Sequence, residues 1–254
     1  QYDVFLLQGQ GQRRWKISTA ADASTAFRDD AELKLLREFT PTHEWLLETG
    51  DMLYLPPGVP HHGVAEGNCL TFSIGMRAPA TGEMLADFAG SVAEKMSEES
   101  RYRDAGIGTA RRIGEIDDLA LEKIAQALSD SMRVDASTLR GWFGSFITRY
   151  RAAHEAQPRP RALSVAAFEK QIDDGVQLMP NPWSRFAWLT EGRAVRLFVA
   201  GEEHACTRAL AERLCARGAF DATDLAAPGS AMRVLLRDLV NAGHLALFRP
   251  RRQQ

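Results

Sequence analysis

Cysteine is scarce in this chain of 254 residues, and the three that occur, Cys69, Cys206 and Cys215, form no Cys-x-x-Cys pair. An odd number at that spacing excludes a disulfide framework and a thiolate zinc site, and it fits a reducing compartment where such residues act as small buried apolar groups. No sign of charge dominates either. Lys and Arg number 31 against 33 Asp and Glu, a formal net charge of -2, so there is no global basic field to hold nucleic acid or an anionic membrane. No apolar run approaches the ~20 residues that cross a bilayer, and the first residues lack the charged-then-apolar order of a secretory signal. These absences predict a cytoplasmic protein with no membrane partner. What is present is a 45% apolar composition, enough for a real core in one large domain or two to three small ones. Residues 1–8 read as a strand from the outset, with no initiating Met, which leads to the expectation that the first domain starts upstream of Gln1.

The hydrophobic period divides the chain. From residue 2 to about 77 it is close to two: residues 2–8 and 13–18 read as a hairpin turned at Gly9-Gln10-Gly11, and residues 43–47, 52–55, 62–65 and 70–76 as four further short strands. Gly50-Asp51, Pro56-Pro57-Gly58 and Glu66-Gly67-Asn68 separate these strands at a spacing that suits a small barrel or sandwich. From Thr81 the period becomes helical. Met84, Leu85, Phe88, Val92 and Met96 make one stripe, Leu121, Ile124, Leu128 and Met132 a second, and Leu139, Trp142, Phe143, Phe146, Ile147 and Tyr150 a third behind the cap candidate Ser137. The third stripe, broad and aromatic, suits either core packing or burial against a second copy of the chain. Pro158-Arg159-Pro160 reads as a linker. Beyond it come a strand at 194–200, a helix at 202–217 ending at Gly218, a helix at 230–242 ending at Gly243, and a strand at 244–248, an order that resembles a winged helix. The second of those helices offers only Arg233 and Arg237, with Asp238 alongside, so direct DNA binding is not expected. The expected domains are residues 1–80, 81–160 and 161–254.

The chemistry concentrates in residues 50–63. A Gly-Asp turn leads a short apolar strand to a Pro-Pro-Gly corner, which delivers His61 and His62 at the start of the next strand. Neutral imidazole suits iron, and two histidines with one carboxylate and open positions form the facial arrangement of non-haem iron(II) oxygenases. Strand alternation points adjacent histidines to opposite faces, so only one of the pair can be a ligand.

Together with Asp3-Val4-Phe5-Leu6-Leu7-Gln8-Gly9-x-Gly11-x-Arg13-Arg14-Trp15, this stretch resembles the JmjC-type 2-oxoglutarate oxygenases, and more closely the bacterial ribosomal-protein arginine hydroxylases. The resemblance implies an α+β chain: a double-stranded β-helix (cupin or jelly-roll) barrel, a helical dimerisation segment, and a small winged-helix-like domain. It implies iron(II), 2-oxoglutarate and dioxygen, a homodimer, and a substrate arginine on a large-subunit ribosomal protein, hydroxylated at its β-carbon while 2-oxoglutarate becomes succinate and carbon dioxide. By the family's motif His61 is the distal metal ligand and Arg13 binds the far carboxylate of 2-oxoglutarate, a role suited to the planar, permanently charged guanidinium. Thr71 and Ser73 are further candidates to hydrogen-bond the bound acid or the substrate backbone, and Phe5 or Tyr2 to wall the pocket. The family's His-x-Asp pair immediately precedes the Gln-Tyr-Asp-Val-Phe segment. No His-x-Asp occurs in this chain, so the other two ligands are expected upstream of Gln1. Two other readings stand beside this one: a metal-dependent cupin enzyme that uses no 2-oxoglutarate, and a non-catalytic regulator with a sensing barrel.

Overall fold

The structure is a computed structural model that describes residues 2–20, 26–32, 35–103, 108, 112–150, 155–216 and 218–249. It divides into two compact units, Gln1–Ala80 and Thr81–Gln254.

The first unit is one four-stranded antiparallel sheet. Its centre is β1 (Asp3–Ile17), fifteen residues long. The hairpin expected at Gly9-Gln10-Gly11 is not formed, because β1 runs straight through it. One edge of β1 pairs with β2 (His43–Leu47) beside Arg13–Ile17 and with β3 (Met52–Leu55) beside Val4–Leu7; the other edge pairs with β4 (His61–Met76) along its whole length. The two strands expected at 62–65 and 70–76 are likewise one, since Glu66-Gly67-Asn68 is an irregularity within β4 and not a turn. Register shifts lie between Gln8 and Gln10 and between Gln10 and Gln12. The glycines are needed for these irregularities, not for a reversal. A Cβ on Gly9 would lie 2.5 Å from the Phe72 ring, and Gly11 has φ 66° with Asn68 O 2.2 Å from where its Cβ would stand. Across the bulge the buried phase of β1 changes from Leu6 and Gln8 to Trp15 and Ile17. Leu6, Trp15, Ile17 and Leu55 form one buried cluster, so these residues face the same side of the sheet.

The second unit opens with α1 (Thr81–Ala93), α2 (Asp118–Ser131) and α3 (Ala136–Arg149). Ser137 is not the cap of α3: Asp135 accepts from Thr138 N in that role, and the Ser137 hydroxyl donates to Glu191. Two aromatics of the third stripe pack within the chain, Trp142 against Phe88 of α1 at 4.9 Å and Phe146 against Trp142 at 5.2 Å. Asp87 receives both the Trp142 indole N–H and the Arg149 guanidinium. The face of α3 against the sheet is instead the small one, where a Cβ on Gly144 would stand 2.4 Å from the Phe198 ring.

Next come α4 (Val165–Asp173), β5 (Gln177–Pro180), β6 (Phe186–Glu191), β7 (Ala194–Val199) and β8 (Glu202–Cys206). Glu202–Cys206, expected to open a helix, is a strand: Ala200 and Gly201, with φ 49° and 99°, reverse the chain into a hairpin with β7, and Thr207 caps a shorter α5 (Arg208–Cys215). Finally α6 (Ala231–Asn241) is capped by Ser230, and β9 (Leu245–Phe248) pairs with β5. The main core joins Phe168 and Ile172 of α4, Leu178, Leu197, Val199, Leu210, Leu214, Leu236, Leu239 and Leu245. β7 is therefore covered on both faces, by this core on one side and by α3 on the other. The Pro158 segment is not a free linker, because Arg159 N donates to Asn241 O and the Asn241 side chain holds both backbone groups of Leu163. Arg233, one of the two arginines on α6, is buried with its Nε 3.5 Å from Glu169 of α4.

His244, just ahead of β9, shares a 2.9 Å hydrogen bond with the Ser184 hydroxyl. Burial pushes its imidazole below the ordinary 6.5, with Glu202 opposing and His204 adding to the effect. The unfolded chain therefore takes up this proton first as acid is added. The stability that His244 contributes is complete above about pH 6.5 and declines as pH falls through the depressed folded value. Replacing it, His244→Asn, should flatten the fall in urea midpoint between about pH 7 and 5; an unchanged slope would show that another group carries it.

Candidate active site

Cross-strand partners in an antiparallel sheet share a face, so the register fixes which side chains meet. Leu6 lies opposite Ser73, Gln8 opposite Thr71, Arg13 opposite Ala65, Trp15 opposite Gly63 and Ile17 opposite His61. Arg13, His61, Thr71 and Ser73 are thus brought to the same face of the sheet as the buried cluster, and Thr71 and Ser73 belong to the His61 strand and not to a following one. Tyr2 joins this face, its ring near the position a Cβ on Gly75 would take. Phe5 does not. It stacks on Tyr54 at 4.9 Å on the opposite face, where the Tyr54 hydroxyl donates to Asp3 at 2.5 Å and that contact raises the phenol above its ordinary range.

The adjacent histidines diverge as alternation requires. His62 meets the Phe39 ring at 6.4 Å, whereas His61 lies 6.0 Å from Trp15. His61 Nδ1 is 3.0 Å from the Val59 carbonyl. A carbonyl only accepts, so the contact assigns the ring proton to Nδ1 and leaves the Nε2 lone pair available, the arrangement that orients metal-binding imidazoles. Among the described residues no group of three or more His, Cys, Asp or Glu is placed to hold a metal ion. One imidazole does not make an iron site, and the described residues by themselves do not fit the metal.

The two adjacent arginines diverge as well. Arg14, on the far face, is bound by Glu66 at 2.6 Å and Glu44 at 2.9 Å, which raise its pKa, and the Arg14 contact in turn holds the Glu44 carboxyl below its usual range. Among the described residues no carboxylate pairs with Arg13. Its Nη1 reaches the Gly63 carbonyl and its Nη2 the Cys69 sulfur, each at 3.5 Å, and its guanidinium stands 5.8 Å from the Trp15 ring centre. Arg13 Nε and Trp15 Nε1 are both buried without a hydrogen-bond partner among the described residues. Buried donors left unmade cost about 1–3 kcal/mol each, so this face is built to receive an acceptor-rich group. A dicarboxylate fits it: the Arg13 fork can take one carboxylate while His61 stands four register positions further along the same strands.

Sequence reasoning missed Gln8. It is fully buried, with Nε2 donating to Gln10 O at 2.8 Å and Gly11 O at 3.3 Å, and with Oε1 accepting from the Thr71 hydroxyl at 2.7 Å. Its only signal was a polar residue in phase with Leu6.

Residues 1–84 match the JmjC domain family, and residues 128–246 match the ROXA-like winged helix. The ribosomal protein uL16 3-hydroxylase of Escherichia coli (strain K12) is 31% identical over 163 residues, which cover 63% of this chain and 43% of that protein. Ribosomal oxygenase 2 of Rattus norvegicus is 35% identical over 77 residues, 28% of this chain and 16% of that one. Among solved structures, the E. coli ribosomal oxygenase YcfD in complex with cobalt and 2-oxoglutarate superposes with a TM-score of 0.73 at 25% identity, over 98% of this chain and 65% of that chain. The chain thus spans less than half of the E. coli relative it matches by sequence and about two thirds of the structural neighbour. The likeness supports the expected mixed α and β architecture, a JmjC cupin portion followed by a winged helix.

Gly63 sets the space at the centre of this face, since a Cβ there would stand 2.6 Å from the Trp15 ring. Gly63→Ala should cost about 1–3 kcal/mol by overpacking, seen as a lower urea midpoint together with a changed near-UV signal from the displaced indole. Wild-type values for both would mean that Trp15 is free to move.

Proposed function

We propose, from the premise that this chain is homologous to the ribosomal oxygenases and joins a JmjC domain to a ROXA-like winged helix, that it belongs to an iron(II)- and 2-oxoglutarate-dependent hydroxylase. Its substrate is an arginine of a large-subunit ribosomal protein, and the E. coli relative's name points to uL16. The observation that carries the reading is the pair of buried, unpartnered donors on Arg13 and Trp15 on the face that also presents His61 Nε2. His61 would be one metal ligand in this reading, through its Nε2. Iron(II), 2-oxoglutarate and dioxygen, when bound, supply the oxidising chemistry. The chain's own residues do the positioning. Arg13 would take the distal carboxylate of the cosubstrate in a bidentate fork, and the Val59 carbonyl holds the His61 Nδ1 side of the ring, so that Nε2 would be the atom left for a metal. The apolar cluster of Leu6, Trp15, Ile17 and Leu55 keeps water from the back of the site.

The domain limits in this reading are 1–80 for the barrel portion, 81–160 for a helical dimerisation region and 161–254 for the winged-helix-like domain. The protein is a cytoplasmic homodimer, which brings it to the ribosomal protein it modifies. What supports the dimer is α2, whose apolar stripe is uncovered: Leu121 is 53% exposed, Ile124 42% and Leu128 64%. Among the described residues no helix is long and apolar enough to cross a membrane.

Incubating the complete gene product with iron(II), 2-oxoglutarate and uL16 should add one oxygen to an arginine, read by mass spectrometry. Gain on histidine-bearing peptides alone would move the assignment to a histidyl hydroxylase. Arg13→Gln should raise the KM for 2-oxoglutarate about tenfold or more, the loss of one charge-assisted bidentate contact, while an unchanged KM would favour a cupin enzyme that does not use this cosubstrate. Separately, the double change Ile124→Asp and Leu128→Asp should convert a dimer to a monomer by light scattering, and a variant that stays dimeric would place the interface elsewhere.

A further inference from the structure

Thr71 is a candidate for holding the bound acid, but its hydrogen-bond direction argues against that role. Gln8 is fully buried, and its Nε2 faces two backbone carbonyls, Gln10 O and Gly11 O. Turning the amide over would set its oxygen against both carbonyls, so the orientation is fixed by its surroundings and not by choice of assignment. Oε1 therefore faces Thr71, and because an amide oxygen has no proton to give, the 2.7 Å contact must be a bond donated by the Thr71 hydroxyl. A hydroxyl has one proton. Once it is committed to Gln8, the Thr71 oxygen offers the site only lone pairs. An ionised carboxylate offers only lone pairs as well, so the two repel.

We infer that Gln8 is a positioning residue that turns Thr71 into an acceptor for an N–H group of the protein substrate, and that Thr71 does not hold 2-oxoglutarate. The inference rests on the proposed hydroxylase reading and sharpens it by dividing the face into two parts. Arg13 Nε and Trp15 Nε1, donors with no partner among the described residues, suit the acid, while Thr71, half-buried beside Cys69 on the same strand, is an acceptor suited to a peptide amide or a guanidinium. The arrangement selects a donor-rich target, since a guanidinium carries five N–H groups and no acceptor. The same Gln8 amide ties Gln10 and Gly11, the residues of the bulge that brings Arg13 onto this face, so one buried side chain fixes both parts.

The test is calorimetric titration of the complete gene product, loaded with manganese(II) in place of iron, first with 2-oxoglutarate and then, in its presence, with a substrate peptide spanning the target arginine. Thr71→Val, which keeps the shape and removes the acceptor, should weaken peptide binding about tenfold, the value of one hydrogen bond with a charged or amide donor. The same variant should change 2-oxoglutarate affinity less than twofold, and Thr71→Ser should restore peptide binding. Gln8→Leu, which frees the hydroxyl proton, should weaken peptide binding in the same direction; if that variant does not fold, the Thr71 pair decides alone. Loss of 2-oxoglutarate affinity in Thr71→Val would overturn the inference by making Thr71 a cosubstrate ligand, and so would unchanged affinity for both. If wild-type protein binds peptide and acid but Thr71→Val fails to discriminate, only this inference falls. If wild-type protein binds no 2-oxoglutarate, the hydroxylase reading itself fails and takes the inference with it.

Discussion

The pairing of β1 with β4 across the irregularity at residues 8–12 is the constraint on which the candidate site depends. Side chains alternate along a strand, and a shift of one residue exchanges every one of them between faces. Were β1 to run from Leu6 to Ile17 without its bulge, the residues in phase with Leu6 and Gln8 would be Arg14 and Lys16. The face of His61 would then carry two cations, and Arg13 and Trp15 would turn to the side where Glu44 and Glu66 now bind Arg14. The extra residue on β1 reverses that outcome. It is held in place by the missing side chains of Gly9 and Gly11 and by the Gln8 amide.

The second unit follows a different logic, because one strand is enclosed from both sides. β7 presents Leu197 and Val199 to the main core, while Arg196 and Phe198 meet α3. Contact that close needs small residues on the helix, and Gly141 and Gly144 provide them, so the aromatic residues of α3 are left for α1 and solvent. The same economy of surface governs α6. Arg233, the residue a DNA-reading helix would expose, is directed inward at Glu169, which also receives Gly229 N ahead of the helix. A buried pair of this kind adds little net stability but is costly to break, so it ties α4 to α6 and is withdrawn from any contact outside the protein.

Most of the helices and the chemistry-bearing corner were legible in the sequence because period and capping chemistry are local. The 3.6-residue stripes located α1, α2 and α3, and Ser230 and Gly243 bounded α6. The errors arose where glycine had two physical uses. Gly9, Gly11 and Gly67 were read as turns, yet they serve a bulged pair of long strands, a distinction that depends on the neighbouring strand and not on the glycine itself. Glu202–Cys206 was read as helix because its residues continue smoothly into α5, and only the reversal at Ala200 and Gly201 commits it to β7. In the site, alternation separates His61 from His62 onto opposite faces, as the structure has them, while the roles given to His61 and Arg13 rest on the family motif and not on period or spacing. Gln8 was not readable, since a lone glutamine in a strand shows nothing of its burial until β4 is laid beside it.

These arrangements separate positioning from metal binding. The face formed by β1 and β4 supplies one imidazole, a guanidinium, an indole N–H and a hydroxyl committed as an acceptor, a set that fixes direction and charge for organic ligands. Among the described residues it supplies no group of three or more His, Cys, Asp or Glu placed to hold a metal ion. Under the proposed reading, a site divided in this way gives the sheet a task it can perform without the metal, which is to fix where the acid would lie and which atoms of a polypeptide could approach it. Oxidation at an unactivated carbon is only as selective as the placement of its target, so in the proposed hydroxylase the choice of atom would rest on the register of two strands and on the orientation of one buried amide.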